Sequence, residues 1–384
     1  MEFEFAVAGR LFFGPGSLQK VGTLAFSLGR RALILTGRKG TRNEQVRALL
    51  EAVGVTTAFL GIPGEPSVEM VSQGVEVGRD FCCDVVLGIG GGSVLDAGKA
   101  IAALLTNPGT PLDYLEVIGA GKSLVVPSLP YIAIPTTAGT GTEVTRNAVL
   151  TSPVHGVKAS IRSPWMLPRV ALVDPELTYD LPAELTAASG MDALAQVIEP
   201  LVSIKAQPLT DALCRQALPR AARSLRRVFL NGKDFSARED ICFLSLCGGI
   251  ALANAGLGAI HGFAAPLGGM FHAPHGALCA CLLPAVVEAN IHALHASNSK
   301  TDALHRYTEI ASLLTGNPEA SPFEAIHWLK ETRSLLQIPP LRHYGVESRH
   351  IPEIVTKAAV TSSMKGNPIP LDPSTMFQIL EQVL

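Results

Sequence analysis

Charge is scarce in this chain of 384 residues: Asp, Glu, Lys and Arg make up 17% of it, and the formal net charge is −2. Arg and Lys stand singly or in short groups such as Arg30-Arg31. Without a basic tract, nothing in the charge points to nucleic acid or an anionic membrane as a partner. Cysteine is sparse too. The seven Cys are odd in number, lie in apolar runs such as FCCDVVLGIG and GALCACLLP, and form no CxxC pair. That argues against a disulfide framework and for buried thiols in a reducing compartment. No run reaches the roughly 18 uninterrupted apolar residues of a membrane span. The start, MEFEFAVAGRLFFG, has early acids and lacks the basic-then-apolar order of a signal peptide. Fixed-period repeats and low-complexity segments are missing as well. The expectation is a soluble, cytoplasmic protein.

What the chain does have is apolar substance, 47% of its residues, and enough length for two domains with a generous core. In the first half, RALILTG, DVVLGIGGGS, YIAIPTT and VALVDP pack apolar residues into short runs that end in Gly, Pro, Thr or Asp. Helical stretches such as NEQVRALLEAVG and SVLDAGKAIAALL separate them. Alternation of this kind predicts a parallel sheet covered by helices on both faces. After LTYDLPAELTAASG the periodicity becomes that of helices, as in DALCRQALPRAARSLRRVF and TDALHRYTEIASLL. The division falls at 175–182, giving an α/β domain over 1–180 and a helical domain over 181–384.

Two loops in the first half suit a dinucleotide. DVVLGIGGGSVLDAGKAIA sets Gly88, Gly90, Gly91, Gly92 and Ser93 between a strand and a helix, where a backbone can approach a phosphate and a helix N-terminus can hold it. IPTTAGTGTEVT then ends a strand with Thr136, Thr137, Thr140, Thr142 and Thr145, a set of hydroxyls fit for a pyrophosphate and its riboses. In the second half, GMDALAQVIE puts Asp192 and Gln196 four apart, on one face of a helix. A carboxylate and an imidazole at that spacing would be an ordinary metal-binding pair. The amide leaves two readings open: an altered ligand set, or a shell that has lost its metal.

GGGSVLDAGKA, PTTAGTGTEVT, DPELTYDLPAELTAASGMDALAQVIEP and HGFAAPLGGMFHAPHGALCACLLP resemble, in order and spacing, the iron-containing (group III) alcohol dehydrogenases. The likeness runs from LFFGPGSL to SSMKGNP. It implies a dehydroquinate synthase-like architecture, with a dinucleotide-binding α/β domain followed by an all-α domain. It also implies hydride transfer between a nicotinamide and an alcohol or aldehyde bound to a divalent metal, Fe²⁺ or Zn²⁺. Carried over residue by residue, the cofactor contacts are Gly91, Gly92, Ser93, Asp96, Thr136, Thr137, Thr140, Asn147 and Lys158. The metal ligands map to Asp192, Gln196, His261 and His275. Relatives often form dimers or larger homo-oligomers.

Three departures matter. Where NAD-preferring members carry an Asp at the end of the first strand, this chain has Gly37 followed by Arg38 and Lys39. That favours NADP over NAD, because a repelling carboxylate is gone and a cation stands ready for a 2′-phosphate. Gln196 replaces a histidine, keeping the formal charge but offering a harder, weaker donor. Ala265 replaces a further histidine that in many relatives is placed to relay a proton, so the proton must come through a water chain, the cofactor ribose or His272, the last being the candidate side chain. Two rival readings are a maleylacetate reductase-like oxidoreductase and a catalytically silent dinucleotide-binding protein.

Overall fold

The computed structural model describes residues 2–37, 41–155, 157–297 and 302–384. They form two compact units. One comprises Ala6–Thr137 and Gly141–Thr178; the other comprises Tyr179–Leu384 with Ala138–Thr140 and the segment ending at Phe5.

The first unit carries strands β1 (Arg10–Phe13), β2 (Arg31–Thr36), β3 (Thr56–Gly61), β4 (Val85–Gly90), β5 (Tyr131–Pro135), β6 (Asn147–Ser152), β7 (Val157–Arg162) and β8 (Val170–Val173). Its helices are α1 (Val21–Phe26), α2 (Thr41–Glu51), α3 (Val68–Asp80), α4 (Gly92–Thr106) and α5 (Pro111–Tyr114). Six strands make a parallel sheet in the order β1-β8-β5-β4-β2-β3, and β6-β7 is a separate antiparallel pair. The four runs expected as strands are β2, β4, β5 and β8, all in the parallel sheet.

The pleat explains why those runs are apolar at every position. Along β2, Ala32 and Ile34 face a core shared with Val21, Leu24, Val46 and Leu50 of α1 and α2. Leu33 and Leu35 face the opposite core, shared with Val71 and Val75 of α3 and Ala97 and Ile101 of α4. The helix after β2 and the helix after β4 therefore cover opposite faces of the sheet. Between the carboxyl ends of these adjacent strands the topology switches direction, and a crevice opens there in folds of this kind. Gly37 lies at one lip and Gly91 at the other.

The second unit has no strand among its described residues; its helices are α6 (Ala183–Val202), α7 (Pro208–Leu230), α8 (Phe235–Ala255), α9 (Ala259–Phe271), α10 (His275–Ala296), α11 (Ala303–Thr315), α12 (Pro322–Leu335), α13 (Ile351–Ala359) and α14 (Pro373–Gln382), with short 3-10 turns between some of them. Among the described residues only α10 is by itself long and apolar enough to cross a membrane, and it is mostly buried inside the protein. α6 is the central helix of this unit, buried from Gly190 to Val202 and packed on α7, α8 and α10.

Candidate metal centre and dinucleotide loops

Asp192 and Gln196 lie one turn apart on buried α6, as their spacing predicts. His261 sits in the first turn of α9, and His275 opens α10. Two glycines permit the close approach. A Cβ at Gly276 would stand 2.8 Å from the Ala188 carbonyl oxygen, so only glycine lets the start of α10 press against α6. A Cβ at Gly258 would meet the Glu199 carboxylate at 2.9 Å.

The result is a cluster in which one ligand atom each from Asp192, His261, His275 and Cys279 lies within 4.8 Å of the others. Asp192 Oδ1 is 3.3 Å from His261 Nε2 and 3.8 Å from His275 Nε2. Three atoms here are buried without a hydrogen-bond partner: Asp192 Oδ1, Gln196 Oε1 and His261 Nε2. Leaving one such atom unsatisfied costs about 1–3 kcal/mol. Three together, with the ligand atoms of His275 and Cys279 close by, make a donor set that a divalent metal fits.

Glu199 completes the electrostatics. Its carboxylate accepts from the Ile260 N–H at 2.7 Å and lies 2.6 Å from His261 Nδ1. Because the carboxylate can only accept, Nδ1 carries the proton in the neutral ring, and the Nε2 lone pair is turned toward Asp192. Burial opposes charge on Asp192, yet His275 and His261 hold its carboxyl below the ordinary value. Burial likewise opposes a charged His261, but Cys279, Glu199 and Asp192 together hold its pKa well above the usual imidazole value. The Cys279 thiol, also buried, is pushed up to about 12.

Neither Glu199 nor Cys279 was singled out in the sequence, though helical arithmetic finds both. Glu199 is seven residues after Asp192, and Cys279 four after His275, each on the face of its neighbour. His272 is exposed in a left-handed conformation, φ 51°, at the end of α9, outside the cluster. Ala265, one turn after His261, offers no proton-carrying group.

The glycine turn caps α4 with Gly91 in extended conformation, and the N-cap makes no side-chain hydrogen bond to the first turn. A Cβ at Gly91 would stand 3.4 Å from the Thr137 side chain, so this glycine lies directly beside the second loop. Thr136 is tied to Gly90 by a backbone hydrogen bond of 2.9 Å, which sets the loops side by side. Thr140 groups with the helical unit. Asp96 faces inward: its carboxylate accepts from Thr142 Oγ1 and from the Val149 N–H (3.0 Å) and pairs with Lys99 Nζ (3.1 Å). Asn147 begins β6, and Lys158 on β7 pairs with Glu65 at 2.5 Å. Arg38 and Lys39 lie outside the described residues.

The profile of the iron-containing alcohol dehydrogenases matches residues 8–175, and that of the C-terminal region of the same family matches residues 186–384. The 1,3-propanediol dehydrogenase of Citrobacter freundii is 34% identical over 99% of this chain and 98% of its own length. The NADPH-dependent butanol dehydrogenase of Clostridium saccharobutylicum is 32% identical over 99% and 97%. A crystal structure of 1,3-propanediol oxidoreductase superposes with a TM-score of 0.93 at 33% identity, covering the whole of both chains. Likeness of sequence and fold over essentially the full length, with the helices that carry Asp192, His261 and His275 included, leaves one conclusion: the chain belongs to the iron-containing alcohol dehydrogenase family.

Proposed function

We propose that Asp192, His261 and His275, with Gln196 at the edge of the shell, hold the divalent metal of this enzyme, and that Gly91, Gly92, Ser93, Thr136, Thr137 and Thr140 hold its dinucleotide. The chain is a metal-dependent alcohol dehydrogenase, an oxidoreductase acting on CH–OH groups with a nicotinamide cofactor. The observation that carries the residue assignment is the convergence of buried, unpartnered Asp192 Oδ1, Gln196 Oε1 and His261 Nε2. Residues 1–180 are read as the dinucleotide-binding domain and 181–384 as the metal and substrate domain.

When bound, the cation supplies Lewis-acid polarisation of a carbonyl, and the nicotinamide carries the hydride. The protein's part is positioning and proton traffic. Glu199 fixes the His261 ring, and Gly91 and Gly92 let the pyrophosphate approach the start of α4. Asp96 acts from behind that turn, bracing it through Lys99, Thr142 and the β6 backbone. Asn147 and Lys158 reach toward the ribose and nicotinamide. With Ala265 in place of a proton carrier, His272 exchanges the proton of the substrate oxygen with solvent. The seven cysteines are all free thiols, which supports a reducing, cytoplasmic setting, and homo-oligomeric assembly follows from the family resemblance.

Gly37 and Arg38 are assigned to the adenosine ribose, with Arg38 pairing the 2′-phosphate of NADP. The ratio of kcat/KM with NADPH and NADH tests this: NADPH is expected to win, and a clear NADH preference ends the assignment. Metal content by elemental analysis, with NADPH oxidation over a panel of aldehydes, tests the whole. A dinucleotide-binding protein with no metal and no turnover would be a silent relative.

A further inference from the structure

We propose that Cys279 coordinates the cation held by Asp192, His261 and His275, so that sulfur, and not the Gln196 amide, closes the shell that lacks a histidine at 196. The inference rests on the metal-dependent reading above.

Geometry carries it. Cys279 Sγ is 3.6 Å from His275 Nε2, and Asp192 Oδ1 is 3.3 Å from His261 Nε2. Ligands at about 2.05 Å (N or O) and about 2.3 Å (S) around a tetrahedral ion lie about 3.4 Å apart for an O–N pair and about 3.6 Å apart for an N–S pair. A third edge, His275 Nε2 to Asp192 Oδ1, is 3.8 Å, a few tenths of an ångström longer. Three ligand–ligand distances among four side chains on α6, α9 and α10 thus lie close to tetrahedral edges, and every pair of the four ligand atoms is within 4.8 Å. Cys279 is fully buried and faces His275 across one turn of α10, so its sulfur is directed by the helix and not by chance. Cys281, two residues on, instead points its sulfur to the Val383 carbonyl at 3.6 Å.

On binding, the Cys279 S–H bond gives way to a sulfur–metal bond and the proton leaves to solvent, with no change of oxidation state. Thiolate is soft, so the site should favour Zn²⁺ or Co²⁺ over Mn²⁺ or Mg²⁺ more strongly than a shell completed by an amide oxygen.

The test uses the full chain loaded with Co²⁺. Wild type and Cys281→Ser are expected to show a near-ultraviolet sulfur-to-cobalt charge-transfer band, and Cys279→Ser to lose it while keeping visible ligand-field bands. Zinc affinity in Cys279→Ser should fall by more than the roughly 10–100-fold that loss of an outer-shell partner costs. Zinc-edge X-ray absorption on wild type, which needs no variant, should find one sulfur at about 2.3 Å. One cobalt per chain with ligand-field bands but no charge-transfer band, or a first shell without sulfur, overturns the Cys279 assignment and leaves the metal reading standing. A chain that takes up no cobalt overturns both.

Discussion

Lys99 and Asp192 are both ionisable groups fully buried on central helices, yet their surroundings are opposites. Lys99 Nζ donates to the Thr142 carbonyl (3.0 Å), Thr142 Oγ1 (2.6 Å) and Thr145 Oγ1 (2.8 Å) and pairs with Asp96, so every proton on the ammonium has a home. Asp192 Oδ1 and its neighbours Gln196 Oε1 and His261 Nε2 have none. A buried network that closes on itself rigidifies the fold. One left open asks for a ligand, because each orphaned atom costs free energy until something binds it. The contrast separates the polar cluster that braces the glycine turn from the one that holds a cation.

The sharpest way to break that contrast is to spoil the open cluster. Asp192→Asn is expected to lose metal and to lower kcat/KM for aldehyde reduction by on the order of 10³-fold or more, since it removes the anionic ligand. Its dinucleotide affinity should stay near wild type. A variant that keeps both metal and turnover would show that the orphaned atoms are not the cation site.

Spoiling the closed cluster should do the reverse. Lys99→Met leaves the partly buried Asp96 carboxylate beside Thr142 without its cation, and unfolding by denaturant should show a loss of about 3 kcal/mol, the lower end for a broken buried pair. Metal per folded chain should not change. A loss under about 1 kcal/mol would mean that the ion pair merely breaks even against hydrophobic packing.

How much of this was legible in the letters depends on the range of the signal. β2, β4, β5 and β8 are buried on both faces of a parallel sheet, and such strands announce themselves as unbroken apolar runs. β3 lies at the sheet edge with only partly buried residues, and the β6-β7 pair alternates, so neither stands out. Asp192, His261 and His275 emerge from motif resemblance, and the structure brings them together. Glu199 and Cys279 were within reach of the spacing rule that picked out Asp192 and Gln196, had it been extended along α6 and applied to α10. Lys99 is a local partner of Asp96, three residues on along α4, but its other two were beyond reach: Thr142 is 46 residues away and Val149 is 53, and no local pattern encodes such pairings.

Glu143 sharpens the comparison through pH. Burial pushes its carboxyl up to about 7 from an ordinary 4.5, against the pull of its own backbone and of Lys99. Below 4.5 the group is protonated in both folded and unfolded chains. Between 4.5 and about 7 only the unfolded chain releases the proton, so stability falls as pH rises and levels off above 7. Relative to Glu143→Gln, wild type should lose on the order of 3 kcal/mol across that window. Parallel stability curves for the two proteins would mean that Glu143 ionises freely inside the fold.

The smallest expected effect, and the one that joins the two readings of the shell, is at Gln196. Gln196→His exchanges a hard amide oxygen for an imidazole and should tighten Fe²⁺ or Zn²⁺ binding by about 10-fold, or ~1.4 kcal/mol. If Cys279 already closes the shell, a new imidazole competes with sulfur for one position, and the same exchange should gain more in a Cys279→Ser background than in wild type. Residues that share one ion couple, and the double-mutant cycle measures that coupling. Competition titrations with a chelator read all four dissociation constants. Equal constants for wild type and Gln196→His would place residue 196 outside the coordination sphere. Gains that add independently would separate the roles of Gln196 and Cys279.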